Sequence, residues 1–141
     1  MILLSKNEMA LLAEFNKVTH ATARDVIVDE PNERMIFIVK SGDMGLAIGH
    51  LGVNVKRLSK LFGDKRIEMV EEATTVEDMI AHALYPAKVQ ITKNDEERKI
   101  IYIQVVEADK KGFIIGQKGK TIEKCRVLCK RYFGTNNIIV M

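Results

Sequence analysis

Two hydrophobic rhythms, one helical and one alternating, follow each other along this chain in an order that occurs twice. Met9, Leu12, Phe15 and Val18 recur at the spacing of one helix face, behind Ser5-Lys6-Asn7-Glu8, which has the spacing of a capping box. Residues 24–28 and 34–39 are rich in β-branched and aromatic side chains and read as strands, with Pro31-Asn32 turning between them. Met44, Leu46 and Ala47, then Val55 and Leu58, mark two helical patterns that end at Phe62-Gly63, where glycine can take the left-handed closing conformation. Residues 66–70 are a last strand. The second half repeats the order. Thr74-Thr75-Val76-Glu77 reads as another capping box, and Val76, Met79, Ile80 and Leu84 give its helix an apolar face that stops at Tyr85-Pro86. Strands are expected at 88–92 and 99–105 around the polar turn Asn94-Asp95-Glu96-Glu97. Phe113 and Ile114, then Ile122 and Cys125, mark two more helical patterns ending at Phe133-Gly134, and residues 137–140 close a second sheet. Each half therefore reads α-β-β-α-α-β.

A short glycine phrase sits at the same place in both halves: Ile48-Gly49-His50-Leu51-Gly52 and Ile115-Gly116-Gln117-Lys118-Gly119, 67 positions apart (49 to 116). Two glycines at this spacing between helices let the main chain approach a phosphate with no Cβ in the way. The helix that follows begins with free N–H groups and a positive dipole end. Lys118 and Lys120 add charge to the second copy, and Ile115 and Ile122 are expected to floor a groove for unstacked bases. The first copy has no fixed cation in its loop; Ile48 flanks it, and Lys56, Arg57 and Lys60 follow within two turns. The second copy is therefore expected to hold phosphate more strongly. The last loop glycine precedes the terminating glycine by 11 residues in the first copy (52 to 63) and 15 in the second (119 to 134), about one helical turn more.

Composition sets limits around this repeat. The chain has 141 residues, enough for two small domains, expected at 1–72 and 73–141. The junction near Ala73-Thr74 has no Gly-, Pro- or Ser-rich spacer, so the domains are expected to be fixed relative to one another. No apolar run approaches the roughly 18 residues of a membrane span. The start, Met1 to Lys6, lacks the cationic and apolar stretches of a secretory signal, so a cytoplasmic protein is expected; a monomer is expected as well. Net charge is only +3, but it is polarised. Between positions 110 and 131, eight cations stand against Glu123 alone, whereas residues 67–87 hold five acidic residues and no Lys or Arg. Cys125 and Cys129 share a helix face and read as buried apolar residues rather than zinc ligands. Catalysis is not expected. Gly119-Lys120-Thr121 resembles the end of a P-loop, but position 114 is Ile where that loop needs glycine. No cofactor or metal is implied.

The α-β-β-α-α-β order with the glycine phrase between its second and third helices resembles the prokaryotic, type II KH domain. Two such domains in tandem are similar to the archaeal NusA-like transcription termination/antitermination factors, over essentially the whole chain. The resemblance implies an α+β fold, with a three-stranded mixed sheet packed on helices in each half. It implies single-stranded RNA, the nascent transcript, as partner, held at Ile48, Gly49, His50, Leu51, Gly52, Lys56 and Arg57 and at Ile115, Gly116, Gln117, Lys118, Gly119, Lys120 and Ile122. RNA polymerase or other transcription proteins are further candidate partners. The bacterial relatives carry a polymerase-binding domain and an S1 domain that have no counterpart in this sequence. The competing reading is a KH-fold protein-interaction or ribosome-associated scaffold in which RNA contact is secondary.

Overall fold

A computed structural model of the chain describes residues 4–107 and 110–141. Met1, Ile2 and Leu3, part of the stretch read above for a signal, lie outside the described residues. The chain divides after Glu72 into two compact units.

In the first unit, α1 (Lys6–Thr19) begins with the expected reciprocal cap. The Glu8 N–H donates to Ser5 Oγ at 3.1 Å, and the Ser5 N–H donates to Glu8 Oε1 at 2.9 Å. β1 (Ala23–Asp29) and β2 (Arg34–Val39) form an antiparallel pair, joined by a short 3-10 turn over Glu30–Asn32. β3 (Arg66–Glu71) runs parallel to β2 on its other side. Every residue of the central strand β2 is buried, the expected state of a strand that is paired on both edges and covered. Met35, Phe37 and Val39, with Val26 and Ile67, meet Phe15 of α1, Ala47 of α2 (Met44–Ile48) and Leu58 of α3 (Val53–Leu61). The Phe37 ring lies 4.6 Å from Phe15 and 6.2 Å from Phe62, centroid to centroid, so three aromatic rings lock the sheet to the helices.

Two charged residues are buried in this sheet, Asp25 of β1 and Arg34 of β2. Arg34 is only 2% exposed and donates to Asp29 Oδ2 at 2.7 Å and Glu68 Oε2 at 3.0 Å. Glu72, meanwhile, accepts from the Ser41 N–H at 2.8 Å and pairs with Arg24 at 3.4 Å. The acidic stretch seen in the sequence is thus partly internal: Glu68 and Glu72 are engaged within the first unit. Glu77 and Asp78 lie in the first turn of a helix, where they face its positive dipole end.

The second unit repeats the order: α4 (Val76–Leu84), β4 (Val89–Asp95), β5 (Ile100–Val105), α5 (Lys111–Ile115), α6 (Lys120–Phe133) and β6 (Asn137–Val140). Its sheet has β5 in the middle, antiparallel to β4 and parallel to β6, as β2 is to β1 and β3. Two expectations shift here. The cap of α4 is Thr75 rather than Thr74, its hydroxyl accepting from the Asp78 N–H at 3.1 Å. The hairpin turn also lies further along, because Asn94 and Asp95 pair with Ile101 and Ile100 and the reversal falls on 96–99, with Lys99 left-handed. A bulge between Ile91 and Lys93 extends β4 past the apolar positions that marked it in the sequence. Cys125 and Cys129 are fully buried and free, and their mutual hydrogen bond, then burial, push the Cys125 thiol up, so it stays protonated. Among the described residues no helix is long and apolar enough to cross a membrane.

Candidate nucleic-acid interface

The two glycine phrases fold into the same turn. Gly49 has φ 77° and ψ 168°; Gly116 has 78° and 173°. Leu51 and Lys118, at the tips, both sit in the left-handed region at φ 55°. Gly52 and Gly119 are left-handed at φ 72° and 75°. The hydrogen bonds match as well: Gly49 and Gly116 donate to Gly45 and Gly112 at 3.0 Å, and Gly52 and Gly119 donate to Gly49 and Gly116 at 3.1 and 3.2 Å. The likeness seen in sequence therefore extends to the backbone angles.

The four glycines have two different reasons to be glycine. The combination of φ and ψ at Gly49 and Gly116 is essentially closed to any side chain. A Cβ there would also strike the next helix, 2.9 Å from Asn54 Nδ2 in the first unit and 2.4 Å from Thr121 Oγ1 in the second. That space is filled because Asn54 folds back to donate to the Leu46 carbonyl at 3.1 Å, tying α3 to α2. Gly52 and Gly119, by contrast, have nothing within 4 Å of where a Cβ would lie. The first glycine of each pair closes the turn, and the second leaves an open approach to the main chain.

The turn glycines use their own N–H groups internally, and so do the first helical residues. Val53 and Lys120 donate back to the His50 and Gln117 carbonyls. The set of free donors expected at the second helix is narrower by that much. Neither helix has a side-chain cap, so its positive end is not covered from within the turn. What each turn offers an anion is close approach at the second glycine, the helix end and whatever charge its tip carries.

The side chains separate into those that reach the surface and those that do not. Ile48 and Ile115 are each 37% exposed, so they are partly presented rather than plain core. Leu46 and Phe113, matching positions two residues earlier, are exposed too. His50, Leu51, Gln117 and Lys118 project from the tips, and Lys56 and Arg57 are exposed on α3. Ile122 is 3% exposed and packs inside with Cys125 and Leu128 on the inward face of α6, so it underlies the surface and cannot touch a base directly. The helical period that selected it is the period of the core face. Leu46 and Phe113 were missed as surface candidates because their apolar character reads as core; their matching positions before both turns are the signal that could have found them. Arg126 was counted with the basic run, but its Nε donates to the Ile138 carbonyl at 3.1 Å and holds α6 to β6.

Comparison with known proteins then places the chain. The KH domain family model matches residues 13–76, which takes in the first unit from within α1 onward. A curated relative from Halococcus morrhuae, named "probable transcription termination protein NusA", is 38% identical over 138 residues, covering 97% of this chain and 96% of the relative. The chain belongs to the archaeal NusA family. A second family member of the same name, from Halobacterium salinarum, is 36% identical with the same coverage. A crystal structure titled "Crystal structure of APE1850" superposes with a TM-score of 0.81 at 29% identity, covering 98% of this chain and all of the other. The family fold is thus α+β, with three-stranded mixed sheets and a KH domain.

Proposed function

We propose that this chain is a single-stranded RNA-binding transcription factor that holds nascent RNA at its two GxxG turns and takes part in termination or antitermination. Its second unit, on this reading, is a second KH domain in tandem with the first. The observation that carries the reading is the duplicated turn: two separate stretches reach the same unusual backbone angles, each ending in an open glycine before an uncapped helix. The names of the NusA relatives and the KH model support the same class of function. The second turn is the stronger phosphate holder, because Lys118 at its tip and Lys120 at the entry to α6 supply charge beside Gly119. Ile115 and Phe113 then supply apolar surface for unstacked bases. RNA is the partner, without catalysis and without a cofactor; contact with RNA polymerase is a further proposal drawn from the family.

The test is a fluorescence polarisation titration with unstructured RNA pools, on the parent chain and on a variant carrying Lys118→Gln and Lys120→Gln. The parent should bind and the variant should bind markedly more weakly while melting at the parental temperature. A parent that binds no RNA would overturn the reading and leave the scaffold alternative.

A further inference from the structure

The corner where the strand hairpin meets the end of the last helix is closed in the first unit and open in the second. Phe62 and Phe133 are counterparts, each the residue before a terminating glycine. In the first unit the Phe62 ring lies 6.2 Å from that of Phe37 and belongs to the core. Lys65, just beyond it, donates to both carboxylate oxygens of Glu30, at 2.9 and 3.0 Å, and ties this corner to the turn between β1 and β2. In the second unit Phe133 lines an open cleft of about 300 Å³, at the small end of the range that takes ligands.

The cleft is built from elements already locked to one another. Ile101 of β5, 3% exposed, and Val76, the first residue of α4, line it together with Phe133. Gly134, left-handed at φ 69°, turns the chain out of α6, and Thr135 behind it lies buried against the cleft. The Asn136 N–H then donates to the Lys99 carbonyl at 2.7 Å, and its side chain to the Arg98 carbonyl at 2.9 Å, so the hairpin is fixed to this turn. From the hairpin side, Asn94, Glu96 and Lys99 line the same cleft. All three are exposed, and among the described residues their side chains have no hydrogen bond or ion pair.

An apolar bed carrying an aromatic ring, with an amide, a carboxylate and an ammonium group at its rim, matches the parts of a nucleotide. An unstacked base lies on an aromatic ring and offers its edge to hydrogen bonds. An amide donates and accepts on such an edge at once. A carboxylate accepts from ribose hydroxyls, and an ammonium group holds phosphate as a point charge. We propose that this cleft binds a nucleotide, with its base on Phe133 and Ile101, its base edge on Asn94, its ribose at Glu96 and its phosphate at Lys99. A purely apolar ligand or protein side chain leaves the amide and both charges of the rim without a role. The nucleotide is either one unit of an RNA strand or free, the recognising chemistry being the same. From Lys120 to Phe133 is roughly 20 Å along α6, so the cleft is separate from the GxxG turn and does not depend on RNA binding there.

The experiment uses the full chain, labelled with 15N and followed by amide chemical shifts. Adenosine monophosphate, titrated to millimolar, should move residues 94–101 and 133–136 saturably and leave 116–120 in place. Ribose phosphate, which lacks a base, and N-acetyltryptophanamide, an aromatic side chain without ribose or phosphate, should move them far less. Phe133→Leu removes the ring but keeps apolar bulk, and should weaken adenosine monophosphate about tenfold, the effect of losing a base stack. Lys99→Gln, on an exposed turn, should weaken it severalfold at the parental melting temperature. A single-stranded RNA of about ten nucleotides separates the two sources. An RNA base is the occupant if the strand displaces adenosine monophosphate from the cleft; a free nucleotide is the occupant if the strand leaves those shifts unchanged. Adenosine monophosphate that leaves the cleft unmoved overturns the proposal, as does either control moving it as strongly. So does parental affinity for adenosine monophosphate in both folded variants. RNA that binds nowhere while the nucleotide shifts persist rejects the RNA reading and leaves the cleft as a free-nucleotide site.

Discussion

Gly49 and Gly116 meet two constraints at once, a backbone conformation closed to side chains and a neighbouring helix already occupying the Cβ position. Gly52 and Gly119 meet only the first kind, in the milder left-handed region. Gly119→Ala should therefore cost about 1–2 kcal/mol of stability, and Gly116→Ala distinctly more, measured by urea denaturation; equal costs would show that Thr121 yields without penalty. Arg34 offers a second test. Asp29 is raised by burial, but hydrogen bonds from Asn32 and Arg34 and the Arg34 charge outweigh this and hold it below its ordinary 3.8. A carboxylate lowered in the folded state contributes stability above its ordinary value and loses it as pH falls through the lowered one. Arg34→Met takes the shared cation from Asp29 and Glu68, which keep Asn32 and Arg66, and should cost about 3 kcal/mol near neutrality. It should also make the acid-side fall in urea midpoint shallower, because Arg34's share of the Asp29 lowering goes with it while that of Asn32 stays.

At the scale of elements, the same helix–turn–helix is built twice on different amounts of helix. α1 has 14 residues and α4 has 9, while α3 has 9 and α6 has 14, so each unit has one long and one short packing helix in opposite places. The turn itself is independent of these lengths, because its hydrogen bonds close within α2 and its 3-10 step, or α5 and its own. Function should then be separable from folding at the tips. Replacing Gln117 and Lys118 by Asp puts two negative charges on exposed positions, where stability changes are usually within about 0.5 kcal/mol. RNA affinity should fall by far more than that, by repulsion at the phosphate. His50 and Leu51 to Asp should weaken RNA less. Melting curves and polarisation titrations on both variants decide it, and a second-turn variant of parental affinity would reject that turn as a phosphate holder.

For the whole molecule, the basic second unit should give a measurable salt dependence. If it neutralises three to four phosphates of a single strand, log affinity should fall against log salt with a slope of about −2 to −3. The Lys118→Gln, Lys120→Gln variant should flatten that slope; a near-zero slope in the parent would rule out phosphate gripping. Length dependence separates one working RNA groove from two. A KH groove takes about four nucleotides, so if both turns hold RNA, affinity should climb steeply between four and about ten nucleotides. If only one turn holds RNA, the rise should be shallow.

What the sequence by itself determined is what depends on near neighbours along the chain. Periodicity placed in order the six α-helices and six strands found among the described residues, the Ser5 to Glu8 spacing fixed the α1 cap, and the Gly49 and Gly116 phrases marked both turns. A capping bond spans three residues and a GxxG turn four, so their chemistry is written locally. Tertiary structure decided the rest. Ile122 and Ile115 have the same residue type, yet one is sealed on the inward face of α6 and the other reaches the surface, because exposure depends on which way a helix face points. The hairpin reversal moved to 96–99 because pairing with β5 and a bulge set the end of β4, not the polarity of Asn94 and Asp95. Glu68 looked like part of an acidic face and is instead a partner of Arg34, 34 residues away. Such partners meet only when parallel strands come into register, and no local pattern records that meeting.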